Sequence, residues 1–281
     1  MKAVFKYPGS KWSMAKQIIS FFPVHHSYLE PFFGSGAILF KKPRSNIETV
    51  NDLDNNVINL FKCIRNDPQR LARAVYLTPY AREVYEEACE KSQEVDDGFE
   101  AALKFYIRLN MGRGFRTTGE RVGWKNDVQG REKAYAATDW CNLPEMIMRA
   151  AERLRGVQIE NRPAVELIER FNHKNVLIYC DPPYVIKTRH GKQYKCEMDN
   201  EDHEELLTLL LRHKGPAIIS GYETELYDNM LAGWNRYEKT VYSQVCSKKK
   251  EVIWMNYDPP GQMSFNDYGG MGCKYDRKRS D

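Results

Sequence analysis

The sequence predicts an α/β protein in which a doubly wound sheet carries a mostly helical insertion. Strands and helices alternate at both ends of the 281-residue chain, whereas helical patterns dominate residues 68–150. Such alternation predicts a mostly parallel sheet with helices on both faces. Residues 176–180 form a continuous apolar run, which suits a strand buried on both faces of that sheet. We therefore expect a first part at 1–67, an inserted domain at 68–154, a second part at 155–258 and a flexible tail at 259–281.

The first part of the chain combines strand patterns, a glycine-rich turn and helical spacing. Asp67-Pro68 ends its last helix. The elements predicted there are a strand ending at 28–32, a turn at 33–36, a helix starting at 37–40, a strand at 47–51 and a helix at 54–65.

Helix and strand patterns also follow one another in the rest of the chain, after residue 67. The segment 111–131, rich in Gly, Arg and Thr, has no clean period. The closing strand at 252–257 is expected to pair with 236–242. The other predicted helices lie at 71–76, 81–91, 99–110, 164–171, 201–213 and 223–231, and the other predicted strands at 157–160, 176–180 and 217–220.

Composition predicts a sizeable core and no membrane segment. Hydrophobic residues make up 42% and charged residues 28% of the chain, no apolar stretch approaches membrane-spanning length, and the N-terminus lacks a signal-peptide core. The seven cysteines form no C-x-x-C pair, so reduced thiols are expected rather than disulfides or a zinc site. We expect a cytoplasmic protein, a monomer or weak dimer that needs neither metal nor membrane.

Positive charge is concentrated in a few segments, although the net charge is only +4. Such clusters are typical of phosphate binding, but a solvated basic face would look the same, and the charges alone leave both interpretations open. The basic segments are 112–133, Lys248-Lys249-Lys250 and Arg277-Lys278-Arg279.

The turn Phe33-Gly34-Ser35-Gly36 and the later Asp52 indicate a nucleotide-like cofactor. Glycine has no Cβ, so a ligand approaches the backbone of such a turn closely. Asp52 ends the next strand at about the 20-residue spacing at which doubly wound folds bind ribose hydroxyls. A tight turn without a ligand would give the same pattern. Leu39 occupies the last glycine position of the G-x-G-x-x-G dinucleotide pattern, which disfavours a nicotinamide enzyme.

The motif Asp181-Pro182-Pro183-Tyr184 follows the buried strand, at the edge where such folds bind ligands. The two prolines remove two backbone donors, so their carbonyls are left as acceptors beside the Asp181 carboxylate. Tyr184 adds a flat ring for stacking. This set suits a planar group that carries an NH₂, such as adenine. A proline-rich turn with a chance tyrosine is the alternative interpretation, and we favour it less. A base in duplex DNA must be flipped out of the stack to be modified.

Together these elements resemble the Dam-type family of DNA adenine methyltransferases, the D12 or class-alpha amino-methyltransferases, along nearly the whole chain apart from the tail. Their order, with the cofactor motif before the recognition segment and the catalytic motif last, is typical of that class. The matching elements are Phe5–Lys11 with the pattern K-[WY]-x-G-[GS]-K, Glu30–Gly36 with E-P-F-x-G-[AS]-G, Asn51-Asp52, Asp181–Tyr184, and the closing strand Glu251–Tyr257.

The resemblance implies a Rossmann-like methyltransferase sheet, S-adenosylmethionine as cofactor, and site-specific transfer of its methyl group to N6 of a flipped adenine in double-stranded DNA. Asp181 would stabilise the positive charge that develops on N6. Lys11 would lie near the methionine carboxylate and Asp52 would bind the ribose, while Asp54 is expected to cap the next helix. The implied catalytic residues are Asp181, Pro182, Pro183 and Tyr184, and the implied cofactor residues are Tyr7, Lys11, Glu30, Pro31, Phe32, Gly34, Gly36, Asp52 and Asp181.

Residues 106–126 resemble the family segment that enters DNA, within a predicted target-recognition domain at 68–154. They depart from the pattern N-R-x-G-[FY]-N-G-L-x-R of the best-known members, which leaves the GATC target open. For each arginine, base readout and phosphate contact both stay open. The loop at 185–199 is expected to close over the flipped base, with His190 on the surface. The predicted DNA-binding residues are Lys6, Arg113, Phe115, Arg116, Arg121 and Lys125.

Three alternatives compete with this interpretation. The first is methylation of cytosine N4 or of an RNA base, although cytosine enzymes more often carry Ser in place of Asp181. The second is methylation of a protein glutamine, but those enzymes favour Asn there. The third is a catalytically inactive DNA-binding protein, against which the presence of Lys11, Asp52 and the Asp-Pro-Pro-Tyr motif argues.

Overall fold

The computed structural model describes residues 3–90, 98–114, 116–128, 135–188, 191–242 and 248–260. The strands found there are β1 (Ser27–Glu30), β2 (Ile47–Asn51), β3 (Val157–Glu160), β4 (Val176–Cys180), β5 (Ala217–Tyr222), β6 (Asn235–Tyr242) and β7 (Lys248–Met255). They form one sheet in the order β3-β2-β1-β4-β5-β7-β6. The first five strands are parallel, and β7 is antiparallel to both β5 and β6. This confirms the predicted Rossmann-like, doubly wound sheet and the pairing of the closing strand with 236–242.

The strand order reverses between β1 and β4. β1 pairs with β2 on one side and with β4 on the other, and the chain reaches β4 only after crossing to β3 at the sheet edge. In open α/β sheets, ligands bind outside the carboxyl ends of the strands at such a reversal. The glycine-rich turn after β1, Asp52 after β2 and the Asp-Pro-Pro-Tyr motif after β4 all leave the sheet at that edge.

The helical insertion lies between β2 and β3 and packs against α2. The helices of the described residues are α1 (Ala15–Ser20), α2 (Asn55–Asn66), α3 (Pro68–Leu77), α4 (Arg82–Cys89), α5 (Gly98–Met111), α6 (Ala136–Cys141), α7 (Leu143–Leu154), α8 (Ala164–Arg170), α9 (Asn200–Leu211) and α10 (Glu225–Met230). α2 contacts both α5 and α7, and α3 contacts α7. Phe61 of α2, Tyr106 of α5 and Ile147 of α7 belong to one buried cluster with residues of the sheet. The insertion and the sheet therefore share one hydrophobic core.

A buried ion cluster also joins the insertion to the sheet. Glu48 of β2 is 3% exposed, and its carboxylate accepts two hydrogen bonds from Arg153 of α7, at 2.6 and 2.8 Å. Lys42 donates to the same carboxylate at 2.6 Å. Burial alone would raise the pKa of Glu48, but the bonds from Arg153 and Lys42 lower it below its usual value. The carboxylate thus stays ionised between two cations.

The structure differs from the predicted elements in two ways, by one helix that does not form and by three that were not predicted. The predicted helix starting at 37–40 is wrong, because this segment forms only a turn, with Phe40 N–H donating to Gly36 O at 3.0 Å. Pro43 disfavours helical backbone at the residue before it and so stops the turn from extending. The prediction also missed α1, α6 and α7, although α7 has an apolar stripe at helical spacing: Leu143, Met146, Ile147, Ala150, Ala151 and Leu154.

No helix within the described ranges is both long and apolar enough to cross a membrane. Of the predicted flexible tail, residues 261–281 lie outside the described part of the chain, and Pro259, near its start, is buried.

Candidate active site

A cleft of about 760 Å³, including the space at its opening to solvent, lies where the strand order of the sheet reverses. Its walls come from the N-terminal loop, the turn after β1, the acidic segment after β2, the motif after β4, and the segment before α9. Of the predicted site residues, it brings together Tyr7, Lys11, Glu30, Phe32, Gly34, Asp52, Asp181 and Pro183.

The two glycines of the turn after β1 have different surroundings. Gly34 lines the cleft with φ of +48°, and a Cβ there would lie 3.0 Å from the Tyr7 ring. Gly36, with φ of +68°, does not line the cleft, and its Cβ would lie 2.7 Å from the rings of Phe33 and Phe40. Gly36 therefore allows the aromatic packing beneath the turn rather than the approach of a ligand. Pro31, also predicted for the cofactor, is buried away from the lining, with its carbonyl bonded by Asn51 Nδ2 at 2.9 Å.

Asp52 is held by the backbone on both sides of its carboxylate. Oδ2 accepts from Gly34 N–H at 2.8 Å, and Oδ1 accepts from Asp54 N–H at 2.9 Å. Burial raises the pKa of Asp52 to about 6, although both backbone bonds favour its ionised form. Each carboxylate oxygen has further acceptor capacity, so the group remains able to accept ligand hydroxyls.

Asp54 has the local role predicted for it and one further property. It caps α2 by accepting from Asn56 N–H at 2.9 Å, which confirms the predicted N-cap. Asp54 also lines the cleft, and among the described residues its buried Oδ2 has no hydrogen-bond partner. A buried acceptor without a partner is unusual, which is consistent with a ligand donor at this wall.

Glu30, at the end of β1, is a second buried carboxyl in the wall. It accepts from the Tyr28 hydroxyl at 2.8 Å. Burial raises the pKa of Glu30 to about 8, and the nearby Asp181 carboxylate adds to the rise. Glu30 is therefore largely protonated at neutral pH.

Asp181 lies at the centre of a buried cluster of charges. Its Oδ1 accepts from Ser220 Oγ of β5 at 2.8 Å and lies 2.9 Å from Lys11 Nζ. Lys11 is 5% exposed and also contacts Gly9 O at 2.7 Å and Glu251 Oε1 at 3.2 Å, which occupies its three N–H groups. Burial alone would lower the pKa of Lys11, but the two carboxylates raise it, so the ammonium stays charged. Burial raises the pKa of Asp181, and Lys11 opposes that rise.

The position of Lys11 bears on the role that the resemblance implied for it. The resemblance implied that Lys11 lies near the methionine carboxylate of a cofactor. Lys11 does line the cleft, but its ammonium is directed at Asp181 of the Asp-Pro-Pro-Tyr motif.

Tyr184, the last residue of the motif, is held from behind. Its hydroxyl donates to Glu251 Oε1 at 2.7 Å, and its ring packs edge-to-face on Tyr222 with centroids 4.6 Å apart. Lys11 Nζ lies 4.7 Å from the ring centroid. Burial raises the pKa of Tyr184 well above its usual value, so its hydroxyl remains a donor. Sequence reasoning assigned no role to Ser220 or Glu251, because each is far from the motif along the chain.

The segment before α9 forms the opposite wall and meets the predicted recognition segment. Thr117 N–H donates to Gln193 O at 2.9 Å, and Thr117 Oγ1 accepts from Lys195 N–H at 3.0 Å. The Tyr194 ring lies 6.0 Å from that of Tyr7 across the cleft. A segment predicted to touch DNA is thus bonded directly to a wall of the cleft.

The basic residues predicted to bind DNA lie at the surface of the insertion or near it, and most have acidic partners. Arg116 pairs with Glu120 at 2.9 Å, Arg121 with Glu86 at 2.7 Å, and Lys6 with Asp139 at 3.3 Å. Burial, aided by the charge of Lys125, lowers the pKa of Lys6. Arg113 donates to the carbonyl of Asn126 at 3.2 Å. Predicted positions outside the described residues or side chains are Phe115, Arg131, Lys133, Arg189, His190, Lys248, Lys249 and Arg277-Lys278-Arg279.

Two bonds shape the recognition segment into a loop. Arg113 N–H donates to Gly123 O, and Lys125 N–H donates to Met111 O at 2.7 Å, around a bridge between Gly112 and Trp124. The exposed Arg113, Arg116 and Arg121 all lie on this loop.

In the part of the chain that the structure describes, no group of three or more His, Cys, Asp or Glu side chains could hold a metal ion.

The sheet order, the acid after β2 and the Asp-Pro-Pro-Tyr motif after β4 define a Rossmann-like methyltransferase. The chain belongs to the family of D12 class N6 adenine-specific DNA methyltransferases, whose model matches residues 7–245. This match confirms the resemblance on which the residue assignments were based.

Three relatives are similar to the chain at low identity. The DNA N-6-adenine-methyltransferase of Escherichia phage P1 is 27% identical over 190 residues, which cover 65% of this chain and 24% of the phage protein. The DNA adenine methylase of Vibrio cholerae serotype O1 is 23% identical over 189 residues, which cover 65% of each chain. The Type II methyltransferase M.MjaIII of Methanocaldococcus jannaschii is 22% identical over 92% of this chain and 99% of its own. The matched region thus spans less than two-thirds of the phage and Vibrio relatives.

Proposed function

We propose that this protein is a site-specific DNA methyltransferase that transfers a methyl group from S-adenosylmethionine to N6 of a flipped adenine in double-stranded DNA. The observation that carries the proposal is the state of Asp181. Its Oδ1 is engaged by Lys11 and Ser220, whereas among the described residues Oδ2 accepts no hydrogen bond. One oxygen thus fixes the side chain, and the other is available to an amine.

The residues of the cleft fit S-adenosylmethionine. Asp52 offers ionised oxygens to ribose hydroxyls, and the unpartnered Oδ2 of Asp54 offers a further acceptor at the same wall. Gly34 lets the Tyr7 ring lie close to the backbone of the turn, and Tyr7 and Phe32 give the cleft aromatic surface. When bound, the cofactor supplies the electrophilic methyl group.

The catalytic motif makes the adenine amine a better nucleophile. N6 donates one hydrogen bond to Asp181 Oδ2 and another to the Pro182 carbonyl, and these two bonds favour a pyramidal nitrogen with a free lone pair. N6 would take the methyl group as the methyl–sulfur bond breaks, leaving the cofactor a neutral thioether, and would then lose one proton to water. Positive charge develops on N6 meanwhile, and the cluster of Asp181, Glu251 and Lys11 has two negative charges against one positive charge. A preorganised net negative charge stabilises that transition state. Tyr184 provides the ring on which the base stacks.

The insertion provides the DNA contacts in this proposal. We propose residues 68–154 as the target-recognition domain, with Arg113, Arg116, Arg121 and Lys125 contacting the duplex from the loop and Lys6 from beside it. Because the proposed substrate is DNA, we propose that the protein acts in the cytoplasm of a bacterial or phage-infected cell.

The test is identification of the methylated base. The protein is incubated with DNA that lacks adenine methylation and with S-adenosylmethionine labelled in its methyl group, and the DNA is digested to nucleosides for mass spectrometry. We expect the label in N6-methyldeoxyadenosine. Label in N4-methyldeoxycytidine, or transfer to RNA alone, would instead support the alternative amino-methyltransferases.

The variant Asp181→Ala should lose transfer by about 1,000-fold or more and keep DNA binding, because it removes the anion at the developing charge. The matched control is Asp258→Ala, an exposed aspartate after β7 whose carboxylate accepts from Asn235. Near-normal turnover by Asp181→Ala would contradict the assignment.

A further inference from the structure

Glu251 stands behind the catalytic motif rather than in the cleft. It lies on β7 opposite Tyr222 of β5, and it is 8% exposed. It does not line the cleft, whereas Asp181 and Lys11 do. Glu251 would therefore affect a reaction there through the residues it contacts and through its charge, not by touching a ligand.

One oxygen of Glu251 holds two members of the site. Oε1 accepts from the Tyr184 hydroxyl at 2.7 Å and lies 3.2 Å from Lys11 Nζ. The first contact anchors the hydroxyl end of the Tyr184 ring, and the edge-to-face packing of Tyr222 restricts the ring further. The second contact places Lys11 between two carboxylates, Glu251 at 3.2 Å and Asp181 at 2.9 Å.

The charge balance follows from this shared lysine. If Lys11 faced Asp181 alone, the buried pair would be neutral. With Glu251 present, the cluster keeps one net negative charge, and it lies beside the oxygen that would face the target amine. In a buried site such a charge is weakly screened and acts strongly on a cation formed nearby.

We propose that Glu251 is a positioning residue for methyl transfer: it fixes the Tyr184 ring against the target base and, by sharing Lys11, leaves Asp181 with net negative charge towards the amine. The inference rests on the proposed function, because it requires an amine at Asp181.

The acidic and basic side chains that face Asp181 come from three elements. They are Lys11 from the N-terminal loop, Glu30 from β1 and Glu251 from β7. The neighbouring Tyr179, Tyr184 and Tyr222 have pKa values raised by burial and stay neutral. The negative charge of Glu251 raises the pKa of Asp181, so its removal should lower that pKa.

The test compares Glu251→Gln with the wild-type protein in single-turnover methylation of adenine across a range of pH. Glutamine keeps the size of the side chain and an acceptor for Tyr184 but removes the charge. We expect a rate about 10- to 100-fold lower, by analogy with the loss that follows removal of an outer-shell partner of a metal ligand. We expect the acidic limb of the rate profile to move to lower pH, and cofactor affinity measured by calorimetry to stay unchanged.

Two further variants separate the two contacts of Glu251. Tyr184→Phe removes the hydroxyl that donates to Glu251 but no charge, so it should slow transfer without moving the acidic limb. Glu238→Gln makes the same chemical change on the neighbouring strand, where an exposed Glu238 pairs with Arg236 and Lys250, and it should leave the rate unchanged.

The outcomes distinguish this inference from the proposed function. If the wild-type protein and Glu238→Gln transfer no methyl group to adenine, the proposed function fails. If both transfer it and Glu251→Gln does so at the same rate with the same pH profile, only the role of Glu251 is overturned. If thermal melting shows that Glu251→Gln does not fold, Tyr184→Phe decides: a slowed transfer supports the positioning role, and a wild-type rate overturns it.

Discussion

Acidification should weaken cofactor binding through Asp52. Burial raises the pKa of this carboxyl to about 6, and its two oxygens are the proposed acceptors for the ribose hydroxyls. The ionised form prevails above that pH, and protonation turns one acceptor into a donor. Affinity should therefore be full above about pH 7 and fall as the pH decreases through about 6.

The size of the effect follows from the fraction ionised. A carboxyl with a pKa of about 6 is about 90% ionised at pH 7 and about 10% ionised at pH 5. If only the ionised form binds, the dissociation constant rises about tenfold over this range, which is about 1.4 kcal/mol. Glu30 contributes little to this change, because its pKa of about 8 leaves it largely protonated throughout.

The assay is calorimetric titration of the protein with S-adenosylmethionine at about pH 7, 6 and 5. The matched variant is Asp52→Asn, which keeps the shape of the side chain but cannot ionise, so it should bind more weakly and without this pH dependence. A loss of affinity at low pH would not come from unfolding driven by Asp52. Because the pKa of Asp52 is higher in the folded than in the unfolded protein, its protonation stabilises the folded state as the pH falls. Equal affinity at pH 7 and pH 5 in the wild-type protein, or an unchanged pH dependence in Asp52→Asn, would refute the reasoning.

Two further predictions concern the insertion. Glu48→Gln leaves Lys42 and Arg153 without their buried anion, so urea denaturation should give a free energy of unfolding lower by about 3–5 kcal/mol, and a loss below 1 kcal/mol would show that the cluster is not a buried ion pair in solution. The second prediction concerns the exposed loop arginines Arg113, Arg116 and Arg121: replacing any one of them by Gln should weaken DNA binding and, if it contacts one phosphate, reduce the slope of log affinity against log salt by about 0.9. The control Arg149→Gln on α7 should change neither the affinity nor the slope. An unchanged slope for a loop variant would exclude the replaced arginine from the interface.

Most of the fold could be predicted because its signals are local. The strand at 176–180 is apolar at every position and is buried at every position. The strands at 47–51 and 157–160 have the predicted bounds, and Asp67 ends one helix as its sequence implied; it also caps the next helix, a role that was not predicted. The segment 37–40 misled the prediction because its apolar run resembles a buried helix, whereas Gly36 and Pro43 limit it to a turn.

The candidate site could be predicted only in part, for a physical reason. Glycine turns, a strand-ending acid and a proline-rich motif are contiguous in the chain and show their chemistry in their residue types. Partners from distant segments leave no such pattern. Lys11 and Glu251 are 240 residues apart by number, yet their side chains meet at 3.2 Å.

By itself, the sequence determined the class of fold, the family and the edge of the sheet where the motifs meet, because all three follow from local pattern and order along the chain. The tertiary structure alone decided how those motifs act on one another. It directs Lys11 at Asp181, bonds Ser220 to the same Asp181 oxygen, and joins Glu251 to the Tyr184 hydroxyl. It also assigns Gly36 to aromatic packing beneath the turn. These relations depend on which strands are neighbours, and strand order is set by packing of the whole sheet rather than by any single segment.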